Sequence, residues 1–202
     1  MLKLAGELLE GQLAEHIACL DAHIRNPREV FRTGEYMLPL ILSFYSLSQT
    51  TMTANKLYAV PFLAARDMTV DRIATYVAGI DAGKNARLGI YENGTNLYPG
   101  ALLLDAGEIN VGTGTGAKVI TISQSLVKNI YWLAIVSDGT PIIRVAANAQ
   151  TILGVNSNQT ATQTGWIADH TYAALPDPYP AEGSFIETSM CFVLSLRLAS
   201  LD

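Results

Sequence analysis

Charge is scarce in this 202-residue sequence: Asp, Glu, Lys and Arg make up 15% of it, against 50% hydrophobic residues. A globular chain usually carries about a quarter charged residues. Either much of the surface is buried between subunits, or the exposed faces are built from Ser, Thr, Asn and Gly. The net charge is −5, and Lys and Arg nowhere cluster. Neutralising phosphates takes a basic patch, so nucleic acid is excluded as a partner. Cysteine is nearly absent. Cys19 falls in a helical pattern and Cys191 in a strand pattern; they read as two buried small hydrophobes of a reducing compartment, not as a disulfide. No uncharged apolar run reaches the ~18 residues of a membrane span. The longest, around Met37 to Leu47, is broken by Pro39, Ser43 and Tyr45. Glu7, Glu10 and Glu15 interrupt the apolar stretch that a signal peptide needs. The expectation is a protein made in the cytoplasm, with no secretory leader and no membrane partner.

Groups that do chemistry are also sparse. His16 and His23 stand seven apart, whereas a two-histidine metal site on a helix wants a spacing of three or four. Asp169-His170 would offer half of an acid–base pair, but no G-x-S-x-G elbow supplies a nucleophile, and a structural role is the expected one. Asp81, Asp105, Glu108 and Asp138 sit beside turns without the spacing of a calcium loop, and Asp at a turn usually caps backbone. The glycine-rich VGTGTG at 111–116 lacks the following helix and Lys of a phosphate loop; it reads as a hairpin tip. No catalytic residue, metal or cofactor is expected, and the protein is read as not an enzyme.

What the sequence has in quantity is patterned apolar residues, of two kinds. Over residues 3–25 Leu, Ala and Glu favour helix. Leu9, Leu13, Ile17, Leu20 and Ile24 recur at helical spacing and form one stripe. Asn26-Pro27 ends the helix. A helix this short is marginal alone in water, so its stripe reads as an oligomerisation or attachment surface. Residues 1–35 form this helix and a connector, and residues 36–202 a β domain.

From Tyr36 short apolar runs are cut off by Gly, Asn, Asp or Pro, the signature of an antiparallel β-sandwich, here expected to be of jelly-roll type. Residues 36–48 are dense enough in apolar groups for a strand covered on both faces. Pro39 and Pro61 point to edge positions. In MTVDRIATYVAGI simple alternation puts Met68, Val70, Arg72, Ala74 and Tyr76 on one face, and neither face is purely apolar. IYWLAIVSD is the most hydrophobic strand and reads as central. MCFVLSLRLA reads as the last strand. Between them, GVNSNQTATQTG reads as a surface loop, and DHTYAALPDPYPAEG, with Pro176, Pro178 and Pro180, must run extended outside the ladders.

The order of these segments resembles β-sandwich domains of tailed-bacteriophage virion proteins, of the tail-fibre and head-decoration type. The shared pattern is LYA-x-PF (57–62), T-x-DRI (69–73), RLGIY (87–91), a loop ending in Pro99-Gly100, LLLDAG (102–107) and YWLA (131–134). It covers roughly residues 50–150. The resemblance implies a structural protein located in the virion. Its partners would be further copies of itself, a trimer by analogy, and other virion proteins. The alternative function is a carbohydrate- or receptor-binding module that grips a host-surface glycan with the 155–182 loops. Sugars stack on exposed aromatic faces, and Trp166, Tyr172 and Tyr179 are the ligand-binding candidates for that reading.

Overall fold

A computed structural model of the chain describes residues 32–39, 41–43, 46–187 and 190–201. The fold below is that of the unit Thr33–Asp202. The expected helix, with Leu9, Leu13, Ile17, Leu20 and Ile24, and also His16, Cys19 and His23, lies outside the described residues.

The described chain is an all-β sandwich of two antiparallel sheets. The front sheet contains β1 (Tyr36–Met37), β3 (Ser46–Thr51), β5 (Met68–Gly79), β8 (Gly116–Leu126), β10 (Ile142–Ala147), β14 (Met190–Phe192) and β15 (Leu194–Leu201). The back sheet contains β4 (Lys56–Ala64), β6 (Asn85–Asn93), β7 (Pro99–Asn110), β9 (Asn129–Ser137), β12 (Gln163–Asp169) and β13 (Ser184–Glu187). β2 (Ile41–Ser43) and β11 (Gln150–Thr151) pair with each other. The 36–48 stretch is therefore three short strands in different pairings, not one.

The back sheet runs β13-β12-β4-β9-β6-β7. In the front sheet β3, β10, β5 and β8 pair in that order. β10 and β5 touch only at Ile142–Ile143 and then part. The last strands fill the gap: β14 pairs with β10 and β15 with β5, over Thr75 to Met68. The core lies between the sheets. Val70, Ile73, Val77, Val145, Leu194, Leu196 and Leu198 meet Val60, Phe62, Leu88, Ile90, Leu133 and Ile135, all buried. Tyr58 and Phe192 bridge the layers with ring centroids 4.6 Å apart. Fully burying each such side chain contributes about 1.5–3 kcal/mol.

Three sequence expectations are corrected here. Alternation along β5 does not persist, because its register shifts between Val70 and Arg72. Met68 and Val70 face inward before the shift, and Ile73, Thr75 and Val77 after it. A bulge flips the later side chains to the other face. It leaves Asp71 where Arg197 Nε donates to its carboxylate at 2.8 Å. That hydrogen bond and the cation's field hold the Asp71 carboxyl below its ordinary range. Pro61 does not mark an edge, since β4 lies between β12 and β9. β12 covers only Lys56–Ala59, so Pro61 lies beyond that ladder and its missing N–H deprives no neighbour. VGTGTG is not a hairpin tip. β7 pairs with β6 and β8 with β5, so the loop crosses between sheets. Its Gly112 passes close to the Asp81–Lys84 turn, where a Cβ would lie 2.5 Å from the Gly83 nitrogen.

Candidate functional site

The two sheets differ in what covers their outer faces. On the back sheet, cross-strand neighbours Ala59, Ala134 and Gly89, and Trp132 and Tyr91, point away from the inter-sheet core. They are nevertheless buried. What covers them is the proline-rich segment 170–183, laid across the sheet as a strap. Tyr179, 2% exposed, is its anchor. The Tyr179 hydroxyl donates to Leu57 O at 2.8 Å, and its ring meets Tyr91 and Tyr98 edge-on at 5.4 and 5.7 Å. Leu175 sits over Gly89, where a Cβ would come within 2.2 Å of Leu175 Cδ1 and 2.6 Å of Leu104 O.

A strap without a ladder must satisfy its backbone some other way. Tyr179 N–H donates to Gly100 O at 3.0 Å, and Tyr91 OH donates to Pro176 O at 2.9 Å. Asp177 accepts from Leu102 N–H and Asp105 from Leu175 N–H, each at 3.0 Å. Tyr98 OH donates to Pro180 O and accepts from Gly183 N–H. Arg87 fixes Asp105 through a forked pair at 2.9 and 3.0 Å and reaches Glu108 at 3.1 Å. Burial works against the charge of Arg87, but its carboxylate partners outweigh that and raise its pKa.

Trp166, Tyr172 and Tyr179 are thus brought together, but as packing groups. Trp166 stacks on Phe185 at 3.9 Å, meets Tyr98 edge-on at 4.5 Å and donates its indole N–H to Leu97 O at 2.8 Å. That bond helps hold Leu97 at φ 54, a left-handed conformation that side-chain-bearing residues avoid. Tyr172 is half-buried against the same cluster. No face of Tyr179 is open to a sugar. An extended segment stays ordered only by burying something large, and its aromatics serve that purpose. GVNSNQTATQTG is a small hairpin. Asn156 Oδ1 accepts from Thr160 N–H at 2.8 Å, and Asn156 N–H donates to Ala161 O at 2.9 Å.

The polar candidates are used internally. Asp81 accepts from Thr140 N–H at 2.6 Å and Asp138 from Asn85 N–H at 2.7 Å. Asp169 pairs with Lys56, while the His170 ring contacts Ala174 O at 3.1 Å, so the two do not form a dyad. Among the described residues no three of His, Cys, Asp and Glu gather as a metal-binding group. Cys191 is free and fully buried, and burial pushes its thiol up to about 12; such a thiol is unreactive at neutral pH.

Burial also raises the pKa of Tyr179, with Tyr98 and Tyr91 adding to it, and that of Tyr91, with Asp105 and Asp177 adding. The folded chain therefore keeps both phenols protonated. The stability they contribute is complete below the ordinary phenol value near 10 and is lost as pH rises through the higher folded values. Denaturant midpoints measured from pH 8 to 12 should fall above about pH 10. In Tyr179→Phe the alkaline decline should be shallower; an unchanged slope would count against the strap anchor.

The outer face of the front sheet has no such cover among the described residues. It holds a groove of about 370 Å³, bordered by Tyr36, Leu38, Leu47, Tyr76, Ala117 and Arg144. Leu47 is 53% exposed, and Tyr36 and Leu38 each 42%. Arg144 lies over the Tyr76 ring, 3.5 Å from its centroid, a cation–π contact. The groove forms where β10 and β5 part around Val193, whose carbonyl accepts from Thr75 Oγ1 at 3.3 Å. Sequence reading missed it because its residues come from separate strands. The one signal was the mixed outer face of β5. No family model and no curated protein matches this chain.

Proposed function

We propose that the chain is a structural protein of a tailed-bacteriophage particle, a decoration, fibre or tail-associated subunit that works by packing on its neighbours and presenting loops. The observation that carries this reading is the unequal covering of the sandwich. A strap seals the back sheet, while among the described residues the front sheet keeps an uncovered apolar groove flanked by exposed Leu and Tyr. Patches of that kind suit burial against protein, and the occupant proposed here is a neighbouring copy of this chain. The strand order also supports the reading. From β3 to β10 every connection changes sheet except β6 to β7, giving β3-β10-β5-β8 over β4-β9-β6-β7. That arrangement supports a jelly roll, an architecture common in viral capsid domains. In this reading the apolar repeat Leu9, Leu13, Ile17, Leu20 and Ile24, which the sequence pattern puts on one stripe, is the segment that docks on another subunit. A trimer is the assembly that fibre and decoration proteins imply. Glycan binding by the 155–182 loops is not favoured, because Tyr179 is buried and Trp166 and Tyr172 pack in the same cluster.

The test is quantitative mass spectrometry of purified particles from cells that express the gene. The full chain should be present at a fixed ratio to shell or tail proteins. A chain lacking residues 1–30 should be folded by circular dichroism yet absent from particles. A full chain that never co-purifies, or a truncated chain that is unfolded, overturns the proposal.

A further inference from the structure

The outer faces of the two sheets carry opposite charge. On the front sheet Ile73, Ile143, Val145, Leu196 and Leu198 are buried in the core, so alternation turns their chain neighbours Arg72, Arg144 and Arg197 outward. Asp71, bound by Arg197, is the one carboxylate beside them, which leaves a net +2, or +1 with Glu35 at the sheet edge included. On the strap side Asp105, Glu108, Asp177 and Glu182 stand against Arg87, a net −3 with His170 counted neutral. Lys56 and Asp169 pair and cancel. Glu108, Asp177 and Glu182 are exposed. Arg144 is the one charged residue bordering the front groove. Its guanidinium rests on the Tyr76 ring, and it makes no hydrogen bond or ion pair among the described residues.

We propose that copies of this chain join head to tail, the apolar and basic front face of one seated on the acidic strap face of the next. The inference rests on the reading that a neighbouring copy fills the groove, and it names the surface that does so. An apolar lid over the groove would bury the Arg144 cation without a partner, which is costly. The occupant must therefore bring a carboxylate, and the fixed fork of N–H donors on a guanidinium suits one. Front against front would set both groups of arginines together, and like charges across an interface repel. Strap against strap repels in the same way and leaves both grooves open. Front against strap matches opposite signs and covers the exposed Leu38 and Leu47. A contact between two different patches is heterologous. It closes into a ring, a trimer among the possibilities, where the rotation permits, and otherwise runs on as a filament.

Sedimentation of the full chain and of two surface variants tests it. Leu47→Gln with Arg144→Gln removes the apolar and charged grip of the front face. Ala181→Lys with Glu182→Lys, both at exposed positions, makes the strap face basic. Each variant alone should self-associate at least several-fold more weakly than the parent, because every head-to-tail contact then lacks one half. An equimolar mixture should form a complex of one copy of each variant and nothing larger. The front variant still offers its strap face and the strap variant its front face, while the remaining pair, a neutral front and a basic strap, has nothing to join it. If the front variant fails to fold, Leu47→Gln alone serves in its place. A strap variant that assembles like the parent while the front variant does not would show that a copy fills the groove through another surface, and would sink this docking alone. A mixture without the mixed complex overturns the proposal as well. A parent chain that sediments as a monomer at high micromolar concentration overturns both this docking and the reading beneath it.

Discussion

Deleting residues 190–202 should leave a chain with no cooperative unfolding transition. The last strands are not a tail added to a finished sandwich. β14 and β15 fill the gap between β10 and β5 and also carry β1. Phe192, Leu194, Leu196 and Leu198 are buried in the core. At about 1.5–3 kcal/mol each, their burial contributes about 6–12 kcal/mol, as much as the whole stability of a typical domain. The deletion also strips ladder partners from both flanking strands, which then lie unpaired over an open core. Near-ultraviolet circular dichroism and a thermal melt provide the measurement. A sharp melt in the truncated chain would show that the wedge is dispensable.

The second large effect is expected at the strap. Tyr179→Ala removes a buried aromatic, its edge contacts with Tyr91 and Tyr98 and the hydrogen bond to Leu57 O. Large-to-small aromatic changes in a packed layer cost about 3–5 kcal/mol. Tyr179→Phe keeps the ring and loses only the hydroxyl, so about 1 kcal/mol is expected. Urea midpoints of the two variants would give the comparison. Hydrogen exchange should also rise at Leu102 and Leu175, whose amide donors bind Asp177 and Asp105 at the strap. A Tyr179→Ala chain within about 1 kcal/mol of the parent would mean that the strap rests on the sheet without holding it.

Strand-by-strand legibility followed how local each signal was. IYWLAIVSD reads as a central strand because its apolar residues are continuous, and β9 is flanked by β4 and β6. Its run is continuous because both of its faces are covered, one by the front sheet and the other by the strap. Alternation in MCFVLSLRLA places Leu194, Leu196 and Leu198 inward and Arg197 outward, as found in β15. MTVDRIATYVAGI defeats the same rule, because one bulge reverses the parity of every later side chain. The glycines of VGTGTG signal a turn, but a turn within a sheet and a crossing between sheets use the same residues. Tyr179 was legible as an aromatic in a proline-rich segment, yet nothing near it in sequence tells whether its ring meets water or Tyr91.

Composition and local periodicity fixed the class: many short apolar strands with little charge can bury their surface only by stacking sheets. The choice of partners lay beyond them, because backbone hydrogen bonding is blind to side-chain identity and any strand edge can accept any other. Three-dimensional packing alone decided that residues 190–201 enter between β10 and β5, that the strap lies on the back sheet, and that the front sheet carries a groove between strands distant in sequence.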